Sequence, residues 1–127
     1  MQDYQADTIN DLCVEVFQAN AAVGWHNDYE ALENAGFGLY YIATKLALAH
    51  SELSEGLEGA RKNLMDDHLP KRPMLEVELA DTIIRILDLS GLLKLDLGGA
   101  IREKLAYNAV RQDHKLEVRQ GFGGKAV

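Results

Sequence analysis

Two short stretches of this chain carry the residues best suited to chemistry. "ELSE" at 52–55 and "ELAD" at 78–81 each set two carboxylates three positions apart, with a leucine following the first. A spacing of three puts Glu52 with Glu55, and Glu78 with Asp81, about one turn apart on one face of a helix. Four ionised carboxylates cannot converge in a low dielectric without compensation, because each like charge raises the cost of ionising the next. Protons or cations must accompany them. An all-oxygen set without His or Cys at ligand spacing suits a hard divalent ion, Mg²⁺ or Mn²⁺, better than Zn²⁺. Such an ion bridges phosphate oxygens and helps to generate hydroxide from a bound water. Glu30 with Glu33 and Glu55 with Glu58 repeat the interval, and there a solvated acidic face explains it. The two chosen pairs differ because both border an apolar seam on successive helices. Glu58 is read as surface.

Around these lie candidate substrate contacts. Lys104, Asn108, Arg111 and Lys115 recur at four, three and four as a polar stripe, with Tyr107 and His114 at its edge. Arg111 suits bidentate contact with phosphate and Lys104 a point charge, although a solvated face gives the same pattern. Arg85, one turn beyond Asp81, reaches either phosphate or an ion pair with Asp81 or Asp88. Lys45 lies two turns before Glu52 on the same side. Trp25, the only tryptophan, offers a face for a stacked base, with His26 beside it as a hydrogen-bond partner; closing one end of the fold is the alternative. His50 and His68 are expected at the surface or at helix ends. "GFGGKAV", 121–127, is not a phosphate loop, since the order of Gly, Lys and Ser or Thr fails and no strand precedes it.

These groups must be held by helices. Hydrophobic periodicity predicts four: about 3–20, 39–63, 74–89 and 97–112, with a short helical piece near 30–34. In the second, Leu39, Ile42, Leu46, Ala49, Leu53, Leu57, Ala60 and Leu64 are expected to form a buried seam. In the third, Leu75, Leu79, Ile83, Ile84, Ile86 and Leu87 are expected to point inward. Ile101, Leu105, Ala106 and Val110 can pack from the fourth. Pro70 and Pro73 break the chain between the second and third helices, Ser90 and Gly91 stop the third, and Asp96 caps the fourth. No alternating strand pattern occurs, so the fold class is all-α, a bundle of about four helices in a single domain, 1–127, with a polar tail from about 116. Antiparallel packing of the second and third helices would bring the two carboxylate pairs into one cleft.

Of the 127 residues, 47% are hydrophobic and 26% charged, as in ordinary globular proteins. A net charge of -7 argues against partners that reward a basic face, namely duplex nucleic acid and anionic membrane. Cys13, the single cysteine, lies on the Ile9, Leu12, Val16, Phe17 stripe and reads as a core thiol. The absence of a spanning apolar run or a signal-like start leads to the expectation of a cytoplasmic protein.

Together, ExxE at 52–55 and ExxD at 78–81, separated by 22 residues (56–77), resemble the signature of the MazG-like all-α NTP pyrophosphohydrolases. "VELADTIIRILDLSG" is similar to that family's third-helix pattern, and "EKLAYNAVRQDHK" to the Lys, Asn and Arg run that follows it. The likeness spans about 39–115. It implies hydrolysis of an NTP or dNTP to the monophosphate and pyrophosphate, for nucleotide-pool housekeeping. Mg²⁺ would be held by Glu52, Glu55, Glu78 and Asp81, and either Glu52 or Glu55 would activate the water. It also implies a homodimer or dimer of dimers, agreeing with apolar helix faces that one copy leaves uncovered. The rival is a non-catalytic acidic helical interaction protein. A carboxylate di-iron bundle would need Glu-x-x-His pairs, and none occurs.

Overall fold

A computed structural model describes residues 1–111 and 115–123. Six helices follow in order: α1 (Asp3–Ala22), α2 (Tyr29–Asn34), α3 (Gly38–Lys62), α4 (Met74–Leu92), α5 (Leu97–Val110) and α6 (Leu116–Gln120). Among the described residues there is no strand, only an isolated bridge between Met65 and Pro73. None of these helices is long and apolar enough to cross a membrane. The chain divides into two compact units, Leu12–Leu95 and a second of Met1–Asp11 with the described residues from Asp96 onward.

The larger unit holds α3 and α4 antiparallel. Asn63 ends α3 in the left-handed region, φ 53° and ψ 48°, a conformation asparagine tolerates better than most residues. Pro73 starts α4 with φ −58° at a position that needs no intrahelical amide bond. Between them the loop is tied down: the Asp66 carboxylate accepts from the His68 and Leu69 amides, and the Met74 amide donates to the Leu64 carbonyl at 2.9 Å.

The helix pair closes along glycines and carboxylates rather than along the expected leucine seam. A Cβ on Gly59 would lie 2.9 Å from the Met74 Cβ, and one on Gly56 3.3 Å from the Glu78 Cβ. Glu52, Gly56 and Gly59 are the buried positions in the C-terminal half of α3, facing Glu78 and Thr82 of α4. Leu39, Leu46, Leu53, Leu57 and Leu64 are exposed, Leu57 by 61%. So are Leu75, Leu79, Ile83, Ile84 and Ile86, while Leu87 is buried. The inward reading of those apolar side chains is therefore corrected. The missing glycine side chains allow the acid-bearing faces to approach each other, and the apolar stripes are turned outward.

Nor do Ser90 and Gly91 stop α4, which continues to Leu92 and gives way at Lys94, φ 54°. Gly91 serves close packing. A Cβ there would run into the Cys13 carbonyl oxygen and lie 2.6 Å from the Phe17 Cβ, so α1 rests directly on the α4 backbone. Gly91→Ala is expected to cost about 1–3 kcal/mol of stability through overpacking, measured by urea denaturation.

In the smaller unit Asp96 caps α5 as expected, accepting from the Gly99 amide at 2.9 Å. Asn10 donates to Asp96 Oδ1 at 2.7 Å, and its own oxygen accepts from the Gly98 amide at 2.8 Å. These donors hold the Asp96 carboxyl below its ordinary value. Arg102 pairs with Asp3. Leu105 and Val110 are exposed on α5 rather than packed, and the region read only as a tail contains the short α6.

Candidate metal centre

Glu52 and Glu55 lie on α3 at 10 and 7 residues from its C-terminal Lys62, and Glu78 on the second turn of α4. The glycine contact brings them together. One carboxylate oxygen from each of Glu52, Glu55 and Glu78 lies within 4.8 Å of the other two. Glu52 and Glu78 are buried and Glu55 is exposed. Asp81 stands outside that trio but lines the same cavity of about 350 Å³, together with Glu52, Glu55, Glu78, Asp66 and His68.

Electrostatics mark Glu78 as the strained member. Burial first, then the Glu55 charge, the hydrogen bond with Glu52 and the charges of Glu52 and Asp81 push its carboxyl up to about 7. Glu52 has a cation of its own. Arg85 binds Glu52 Oε1 through both Nε and Nη2, bridging α4 to α3. Arg85 thus pairs across the helix interface rather than along its own helix with Asp81 or Asp88. Glu55 forms no ion pair among the described residues, while Glu58, read as surface, pairs with Arg61 and Lys62.

Asp66 and His68 are the site residues the spacing did not reveal. They come from the proline loop, where the only signal was the acidic "DDH" before Leu69. Asp66 is buried and orients the loop through its two amide contacts, which sets His68, itself exposed, at the cavity wall. His50 is exposed on α3 and does not line the cavity.

A second, smaller hollow of about 130 Å³ is lined by Trp25, Asp81, Ile84 and Arg85, so Asp81 borders both. Trp25 is 45% exposed, and two cations reach its ring: Lys45 Nζ lies 5.4 Å and the Arg85 guanidinium 6.0 Å from the centroid. His26 is not offered to a base as expected. Its two ring nitrogens are taken by Asp88 and Tyr41.

Lys104, Tyr107, Asn108 and Arg111 belong to the smaller unit, where Lys104 and Arg111 lie 4.9 and 5.6 Å from the Tyr107 ring centroid. The Asn108 Oδ1 is buried without a hydrogen-bond partner among the described residues. His114 lies outside the described residues, as does the end of the GFGGKAV stretch. Cys13 is buried, and burial pushes its thiol up, in keeping with a core role.

The donor set fits a hard divalent ion. Three carboxylates converge, and only Glu52 of them is paired with a guanidinium, that of Arg85, leaving negative charge that a proton on Glu78 or a cation must balance. No protein-family model, curated protein or solved structure matches the chain, so the reading of this centre rests on its own geometry.

Proposed function

We propose that the chain is a Mg²⁺-dependent nucleoside triphosphate pyrophosphohydrolase of the MazG-like kind it resembles, with Mn²⁺ as an alternative ion. The observation that supports this most is the convergence of Glu52, Glu55 and Glu78 from two adjacent helices, with Glu78 pushed up to about 7 by burial and the neighbouring carboxylates. Glu52, Glu55 and Glu78 would hold the ion, with Asp81 completing the set from the cavity wall. When bound, the ion would neutralise phosphate charge and acidify a water molecule.

The side chains divide the remaining work. Glu52 is fixed in place by Arg85 across the helix interface, which suits it to a ligand role. Glu55, exposed and in no ion pair among the described residues, is the better general base for the attacking water. Trp25 offers a face for the base beside Asp81, and Lys45 and Arg85 bring positive charge to the path between base and phosphates. Attack at the α-phosphorus then releases pyrophosphate and leaves the monophosphate.

A panel of NTPs and dNTPs with Mg²⁺ or Mn²⁺, assayed for pyrophosphate, tests the reading. Release that is lost in Glu52→Gln and Asp81→Asn supports it. No release from any nucleotide supports the non-catalytic helical interaction protein instead.

The outward leucines of α3 and isoleucines of α4 give a second copy of the chain an apolar face to cover, so the proposal includes a homodimer or dimer of dimers. Leu57→Asp is expected to shift sedimentation toward the monomer with helicity retained. Unchanged sedimentation would remove this face from the interface.

A further inference from the structure

Trp25 is tied to groups that line neither cavity. Beside it in sequence, His26 has a side chain only 6% exposed, and its partner Asp88 is 2% exposed. His26 Nε2 lies 2.8 Å from Asp88 Oδ1, and Nδ1 lies 2.6 Å from the Tyr41 hydroxyl. The same hydroxyl donates to the Trp25 backbone carbonyl at 3.2 Å. One chain of contacts, buried at its Asp88 end, therefore links α4, the segment before α2, and α3.

We propose that Asp88, His26 and Tyr41 form a positioning relay that holds Trp25 in place, and that the proton count on His26 sets how firmly. As a carboxylate, Asp88 only accepts, so the Nε2 contact needs a proton on that nitrogen. Tyr41 has one hydrogen and two acceptors in reach. When Nδ1 is bare, the shorter contact takes the phenol hydrogen and the Trp25 carbonyl loses its donor. When Nδ1 carries a proton, the ring donates to the phenol oxygen, and the phenol hydrogen is free for the carbonyl. All three contacts coexist only on the doubly protonated ring.

The surroundings suit such a role. Asp88 of α4 and Tyr41 of α3 face the ring directly, and Phe17 of α1, with no charge, packs against it at 5.4 Å between centroids. Behind Tyr41 stand Asp28 and Tyr29, and Lys45 covers the Tyr41 ring at 5.1 Å. Burial and the Asp88 charge push the Tyr41 phenol up, so it keeps its hydrogen at neutral pH. Asp88, His26 and Tyr41 line neither cavity. They act through Trp25.

Trp25 is the only tryptophan, so the emission comes from that ring alone, and Tyr41→Phe separates the relay from the other groups near it. In the nucleotide-free protein, Trp25 emission is expected to pass through one transition on titration with acid, over the range where the chain stays folded. That transition is expected to be lost in Tyr41→Phe. Emission that is flat in the unmodified protein, or a transition that survives in Tyr41→Phe, overturns the relay. Should the variant fail to fold, ¹⁵N shifts of His26 in the unmodified protein decide the matter: a midpoint shared with the Trp25 transition supports it, and separate midpoints refute it. The effect on substrate rests on the nucleotide reading. Tyr41→Phe is then expected to raise KM by about tenfold, with a smaller change in kcat. The emission measurements contain no nucleotide, so they decide the relay even where that reading fails.

Discussion

Glu55→Gln is expected to lower pyrophosphate release by roughly 10²–10⁴-fold at saturating Mg²⁺ and nucleotide, the range lost when a general base is removed. The side chain is exposed, so the change should leave the denaturation midpoint nearly unmoved, which separates chemistry from folding. Glu52→Gln is expected to look different. It strips Arg85 of its partner across a buried contact, so stability should fall together with activity. A Glu55→Gln protein that keeps full turnover would transfer the base to another group and undo the division of labour argued above.

The second large effect is a pH dependence of stability. Glu78 holds its proton up to about 7 in the folded chain, against an ordinary value of 4.5. A carboxyl raised in this way favours the folded state fully below its unfolded value. That contribution is lost as pH rises through about 7, because the folded state must then carry an extra buried charge. In chelator the chain should be less stable at about pH 8 than at about pH 5 by roughly 3 kcal/mol from this group alone, read from urea denaturation. Mg²⁺ should restore much of the difference at the higher pH, since it binds the ionised cluster only when folded. In Glu78→Gln both the pH loss and the rescue should shrink together. Equal pH profiles for variant and parent would refute the assignment.

Much of the scaffold was legible in the sequence because helix signals are local. The proline loop, the Asp96 cap and the four long apolar periods need no knowledge of partners, and α3 and α4 lie antiparallel as their order implies. Period alone could not say which stripe meets which. Leu53 and Glu52 are neighbours on α3, so a rotation of the helix by about 100° exchanges them. Gly56 and Gly59 fixed the outcome by admitting α4 on the acidic side. Partners across the fold were also hidden. Arg85 was read as meeting phosphate or pairing with Asp81 or Asp88, yet Glu52 is the group it meets, and nothing in the spacing of His26 and Asp88, 62 positions apart, marks them as bonded. Asp66 escaped notice for a different reason. Its role is to shape a loop, and loop geometry leaves no periodic trace.

The glycine line has a consequence for selectivity among ions. Because Gly56 lets the α3 backbone approach the Glu78 Cβ, the spacing of the two acid-bearing helices is set there largely by main chain. A hollow gauged so stiffly should discriminate by ionic radius, favouring small cations over the wider calcium, and drift in the surrounding leucines should leave that preference intact.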